Sequence, residues 1–129
     1  MLDTNICIQL IKQRPQRLVN KLGRTAAGDV GISSITLAEL EYGVAKSGRV
    51  ERNRDALRKF TSPLEIEAFD QPAAAIYGKI RALLEKKGQT IGSLDMMIAA
   101  HAVTLDVTLI TNNQTEFKRV PGLKTANWL

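Results

Sequence analysis

Asp3, Glu39 and Asp95 stand in three well-separated stretches of a 129-residue chain, each at a place where a carboxylate would be held in position. Asp95 has the sharpest local signature. In Ile91-Gly92-Ser93-Leu94-Asp95-Met96-Met97-Ile98-Ala99-Ala100-His101-Ala102, Gly92 breaks the preceding segment and Ser93 is a good N-cap. A helix therefore begins near Leu94 with Asp95 in its first turn, where free backbone N–H groups and the positive end of the dipole favour an acid. Leu94, Ile98, Ala102 and Leu105 recur at helical spacing and predict its buried face. First-turn acids are also common helix-stabilising charges, so this stretch alone assigns no chemistry. If the three acids converge, their mutual repulsion must be offset by protons or by a cation. A hard divalent ion, Mg²⁺ or Mn²⁺, suits such an oxygen-only donor set, keeps several waters and accepts phosphate oxygens. It would acidify water and offset charge building on phosphoryl oxygens, which is the chemistry of attack on phosphorus.

Other chemistries are poorly provided for. Cys7 is the only cysteine and His101 the only histidine, so neither an intramolecular disulfide nor a Cys/His zinc site can be assembled. A Ser-His-Asp or Cys-His nucleophile would need His101, which falls on the same helix as Asp95 and reads as structural or surface. Cys7 reads as a small buried apolar residue. The net charge of +5 is clustered, in Lys12, Arg14, Arg17, Lys21 and Arg24 and again in Lys46, Arg49, Arg52, Arg54, Arg58 and Lys59. This suits a polyanion such as nucleic acid, or is a solvated basic surface. No apolar run approaches the roughly 20 residues of a membrane span, and the expectation is a cytoplasmic protein with no membrane partner.

The elements that must carry the acids alternate. Met1-Leu2-Asp3 reads as the end of a strand running into a helix from Ile6 to about Lys12; two residues before Asp3 are few for a strand, so residues are expected to precede Met1, or the chain to start at an internal methionine. Gln16 to Leu22 is a short helix ended by Gly23, and Ala26-Ala27-Gly28 a loop. Val30 to Ser33 is a second strand, followed by a helix through Val44 in which Thr36 and Glu39 match a capping box, so that Glu39 has a purely structural alternative. A basic helix spans Glu51 to Phe60, Leu64 to Phe69 is a third strand, and Asp70-Gln71-Pro72 opens a helix to about Lys87. Val107 to Thr111 is a fourth strand, Asn112-Asn113-Gln114 a polar turn before Glu116-Phe117, and Leu123 to Leu129 could add a fifth strand. The order predicts a single α/β domain over residues 1–129 with a mainly parallel five-stranded sheet flanked by helices. Functional groups gather at the carboxyl ends of such strands, where Asp3, Glu39, Asp95, Asn113 and Glu116 all fall.

Four blocks of residues resemble a known family in the same order. Leu2-Asp3-Thr4-Asn5-Ile6, Ser33-Ser34-Ile35-Thr36-Leu37-Ala38-Glu39-Leu40, Gly92 to Ala99, and Thr111-Asn112-Asn113-Gln114-Thr115-Glu116-Phe117 resemble the motif blocks of PIN-domain ribonucleases, most of all the VapC toxins of bacterial toxin–antitoxin modules. The likeness continues through Val120-Pro121-Gly122-Leu123 and Asn127-Trp128 and covers nearly the whole chain. It implies Mg²⁺- or Mn²⁺-dependent endonucleolytic cleavage of RNA to 5′-phosphate and 3′-hydroxyl ends. It also implies homodimers and inhibition by a small VapB antitoxin, which binds operator DNA through its own N-terminal domain. VapC proteins that this chain resembles in the Asp95 and Asn113 blocks cut initiator tRNA in the anticodon loop. Carried over by position, Asp3, Glu39 and Asp95 are the acids that hold the metal and orient water. Many PIN domains have aspartate where this chain has Asn113, although the VapC group it most resembles has asparagine there. Glu116 either supplies the missing charge or faces solvent. Asn5, Thr4 and Thr111 could position water or the acids, or merely cap turns, the reading preferred for Thr4.

Two alternatives use the same residues. Asp3 followed by a hydroxyl residue is also similar to the nucleophile of haloacid-dehalogenase-type phosphatases, but those want a second acid where this chain has Asn5. A non-catalytic module could use the acids only as a groove for a basic partner segment.

Overall fold

The computed structural model describes residues 1–26 and 28–129; the loop expected at Ala26-Ala27-Gly28 therefore lies partly outside the described residues. The helices are α1 (Thr4–Lys12), α2 (Gln16–Arg24), α3 (Ser34–Ala45), α4 (Val50–Thr61), α5 (Gln71–Lys86), α6 (Ser93–Leu105) and α7 (Gln114–Phe117), and the strands β1 (Gly31–Ser33), β2 (Glu65–Glu67), β3 (Thr108–Ile110) and β4 (Lys124–Ala126).

The N-terminal segment joins two parallel strand pairs. β1 pairs with β2 and β3 with β4, both parallel. Between the pairs, Leu2 N–H donates to Gly31 O at 2.9 Å, Asp3 N–H donates to Ile110 O at 2.9 Å, and Ile110 N–H donates to Met1 O at 2.8 Å. Five extended segments thus run in the order β2, β1, Met1–Asp3, β3, β4, with the central one reduced to a single parallel bridge at Leu2. Gly31 is needed where β1 meets β2, because a Cβ there would lie 2.7 Å from the Glu65 carbonyl oxygen.

Helices cover both faces. Leu2, Ile6, Leu10, Leu18, Ile32, Leu40, Val44 and Leu57 pack with Ile110 on one side, and Ile80, Leu84, Met96, Ile98, Ala99, Leu109 and Phe117 pack on the other. Leu109 and Ile110 enter opposite clusters, as the alternation of side chains along a strand requires. His101 and Cys7 are fully buried. His101 Nδ1 lies 2.8 Å from Ser33 Oγ, and its ring meets Phe69 edge-on with centroids 5.6 Å apart. Ser33 Oγ also accepts from Ile35 N–H at the start of α3, so one buried hydroxyl serves both the helix start and the imidazole. Ser33→Ala removes the helix cap and the imidazole's partner together, and is expected to cost about 1–3 kcal/mol in a urea melt.

Several local expectations are corrected. α1 begins at Thr4, not Ile6, because Asp3 itself caps it, and α2 runs through Gly23 to Arg24. α3 is capped by Ser33, so Thr36 lies inside its first turn and Glu39 closes no capping box. The cap of α6 is Gly92, with no side-chain bond, and Ser93 is its first residue. Leu94 and Leu105 are exposed, whereas Met96, Ile98, Ala99, Ala100, His101 and Ala102 are buried. The reason is packing on more than one side: α6 lies against both α5 and α3, and its small residues allow close approach, so a single apolar stripe does not describe it.

Candidate active site

Asp3 is held from both sides by the backbone and by a neighbouring strand end. It is 2% exposed. Its Oδ1 accepts from Thr4 N–H at 2.8 Å, and its Oδ2 accepts from Thr111 Oγ1 at 2.9 Å, just past β3. Burial pushes its carboxyl above the ordinary range, the two donors pull it back, and the nearby Glu39 charge raises it further. Thr111 Oγ1 also accepts Asn113 N–H at 3.0 Å, so one buried hydroxyl joins the first and fourth blocks. Thr111→Val removes both bonds at a fully buried position. It should cost about 1–3 kcal/mol and raise the Asp3 carboxyl further, as read by denaturant melts and carboxyl NMR titration.

Glu39 arrives from α3 and is oriented by α1. Its Oε1 accepts from Thr4 Oγ1 at 2.8 Å, while Thr36 Oγ1 lies 3.1 Å from the same threonine hydroxyl. An ionised carboxylate only accepts, so Thr4 donates to Glu39 and Thr36 donates to Thr4. Thr4 is therefore a positioning group, contrary to the capping role preferred for it; Thr36, placed in a capping box from sequence, completes the same chain. The signal was the single hydroxyl beside Asp3, but only contact between α1 and α3 gives it a partner.

Asp95 sits in the first turn of α6, half-buried, with its carboxyl pushed up to about 6. Burial is the largest cause, followed by repulsion from Asp3, Glu39 and Glu116. Glu116 is thus within electrostatic reach of Asp95, although neither it nor Asn113 lines the groove that Asp3, Glu39 and Asp95 share. Its Oε2 accepts from Asn113 Nδ2 at 3.0 Å, a pairing that fixes the amide with its nitrogen towards Glu116 and its oxygen turned away.

The expected residues are therefore brought together from four separate parts of the chain. Asp3, Glu39 and Asp95 line one groove of about 830 Å³, with Thr4, Asn5, Ile8 and Leu94 beside them. Among the described residues, the ion pairs are Arg54–Glu41, Arg81–Glu85 and Lys124–Asp106, so none of the four acids is neutralised by a lysine or arginine. Nor, among the described residues, do three His, Cys, Asp or Glu side chains close into a ready-made metal cage. The donors instead suit an ion held by one or two carboxylates and otherwise by water, as Mg²⁺ commonly is.

The family model described as PIN domain matches residues 1–123. A relative named Ribonuclease VapC2, from Rickettsia felis, is 47% identical over 129 residues, covering 99% of this chain and 96% of its own. Another, named tRNA(fMet)-specific endonuclease VapC, from Shigella flexneri, is 43% identical over 128 residues, covering 99% of this chain and 96% of its own. Among solved structures, a chain in the crystal structure of VapBC2 from Rickettsia felis bound to a DNA fragment from their promoter is similar, with a TM-score of 0.95 at 46% identity over 100% of this chain and 98% of that one.

Proposed function

The chain belongs to the PIN-domain family, and from that premise we propose that it is the toxin of a VapBC-type toxin–antitoxin module. It is an endoribonuclease that hydrolyses RNA phosphodiester bonds and is neutralised by a VapB antitoxin, through which operator DNA is contacted. The single observation that carries the reading is the groove in which Asp3, Glu39 and Asp95 meet without a basic partner, in a chain whose net charge is +5. Residues 1–129 act as one PIN domain. The expected assembly is a homodimer. No helix among the described residues is long and apolar enough to cross a membrane, and the RNA substrate supports a cytoplasmic location.

The substrate we favour is initiator tRNA, cut in its anticodon loop; the tRNA(fMet)-specific name of a 43% identical relative supports it. Asp3, Glu39 and Asp95 would hold the divalent ion the family's chemistry uses, Mg²⁺ or Mn²⁺, one or two of them directly and the rest through water. When bound, that ion supplies acidified water and offsets charge on the phosphoryl oxygens. The chain's own part is positional. Thr111 and the Thr4 backbone hold the two oxygens of Asp3, leaving each a lone pair for a further ligand. The Thr36-to-Thr4 chain holds one oxygen of Glu39 and leaves the other to accept a proton from water. Asn113 offers an amide oxygen without charge, and Glu116, which it holds, brings a fourth negative charge near Asp95.

The test is to express the protein with and without the small protein encoded beside it and to map the 5′ ends of the RNAs that accumulate. Growth arrest with phosphorylated 5′ ends confined to one tRNA loop is expected. Arrest without new RNA ends would refute cleavage as the activity, and a phosphoaspartate trapped at Asp3 would favour the phosphatase instead.

A further inference from the structure

We infer that Tyr42 and Lys46 form a base-stacking and phosphate-holding platform for a single-stranded RNA nucleotide next to the one being cut, an inference that rests on the ribonuclease reading. Large hydrophobic side chains are exposed at Ile8, Tyr42, Ile66, Leu94, Leu105 and Leu129, and three of these, Ile8, Tyr42 and Leu94, line the same groove as the acids. Such clustering marks a binding surface rather than scattered exposure. Tyr42 is the most open of them, at 66%.

Tyr42 follows Glu39 by three residues on α3, so the two side chains are neighbours about 5–6 Å apart at Cβ on one helix face. Lys46, one turn further on, places Nζ 4.8 Å from the Tyr42 ring centroid. Neither Lys46 nor Lys12 on the facing helix has a carboxylate partner among the described residues, and both line the groove. The groove thus carries acids at one end, a flat aromatic ring beside them, and ammonium groups without a carboxylate partner at the other end, that of Lys46 resting against the ring. A nucleic-acid strand has the matching order: a scissile phosphate that needs a cation, a planar base, and a further phosphate that needs a positive charge. Stacking on an aromatic ring is tolerant of base identity and characteristic of single strands, whereas a paired helix hides its base faces.

The probe is a labelled RNA stem-loop carrying the initiator-tRNA anticodon loop, together with versions holding one abasic nucleotide at each loop position in turn. Steady-state cleavage at fixed Mg²⁺ is measured for wild type, Tyr42→Ala, Tyr42→Phe and Lys46→Ala. Tyr42→Ala is expected to raise KM about tenfold or more with a much smaller change in kcat, and Tyr42→Phe, which keeps the ring, to recover most of that loss. Lys46→Ala should raise KM and lower the salt slope of binding by about one. One abasic position should raise the wild-type KM but not that of Tyr42→Ala, because the two changes remove the same contact. The proposal is overturned if Tyr42→Ala cleaves with wild-type KM, or if every abasic penalty adds fully to it. It is equally overturned if Tyr42→Ala leaves RNA kinetics intact and instead weakens the antitoxin complex, which would give the ring to a protein interface. A wild-type protein that cuts no RNA would sink the ribonuclease reading itself.

Discussion

Asp95→Asn is expected to abolish RNA cleavage and at the same time to make the protein harder to unfold at neutral pH. The first half follows from the groove, where Asp95 is one of the carboxylates available to a cation, and a loss of at least ~10²–10⁴-fold in kcat is expected when such a group is neutralised. The second half follows from the repulsion around it. The Asp95 carboxyl lies at about 6 against an ordinary 3.8, so the folded state binds its proton more tightly than the unfolded state does. Wild-type stability in the absence of divalent ions therefore falls as pH rises from about 4 to about 6, and the deficit is complete by pH 7. A shift of this size corresponds to roughly 3 kcal/mol, which solvent around a half-buried carboxyl reduces to about 1–2 kcal/mol. That exceeds the 0.3–1 kcal/mol or so by which a charge favours a helix start, so the neutral amide wins. The variant should melt roughly 3–8 °C higher at pH 7 in chelator and at the wild-type temperature near pH 4. An Asp95→Asn protein that still cleaves RNA, or that melts lower at pH 7, contradicts the placement of these acids.

Mg²⁺ or Mn²⁺ is expected to stabilise the wild-type protein and to have little effect on Asp3→Asn or Asp95→Asn. Asp95 is repelled by Asp3, Glu39 and Glu116 and no lysine or arginine among the described residues forms an ion pair with them, so a cation that binds only the folded protein relieves a cost already present. At 100 times its dissociation constant it adds about 2.7 kcal/mol, or roughly 8–15 °C in melting temperature for a domain of this size. The gain should be larger at pH 7.5 than at pH 5, where a proton competes at Asp95. Calorimetry or dye-based melting over a metal titration decides this independently of catalysis. Equal shifts in wild type and in both variants would move the ion to another site.

The four acidic blocks lie in order along the chain, each beside a predictable element boundary, and their types alone require a common counter-charge once they meet. Hydrophobic spacing placed α3, α5 and α6 within a residue or two, because a helix declares its period locally. The first strand was the weakest element. Met1-Leu2-Asp3 has no alternation to read, and its place at the centre of the sheet comes from hydrogen bonds to Gly31 and Ile110, residues far along the chain. The buried face of α6 departs from its apolar spacing at Leu94 and Leu105 for a related reason: contact with α3 and α5 decides it, not the helix's own pattern.

By itself the sequence determined the alternation of strands and helices, the carboxylates at strand ends and helix starts, and the absence of a histidine or cysteine pair for other chemistry. These are local or compositional properties, carried by neighbouring residues. Only the tertiary structure decided that Thr4 donates to Glu39 and not merely to its own turn, that Thr111 holds Asp3, and that Glu116 comes within electrostatic reach of Asp95 while Tyr42 stays open. Each of these depends on which side chain from a distant element arrives within hydrogen-bonding or electrostatic reach, and that is set by how the helices pack across the sheet.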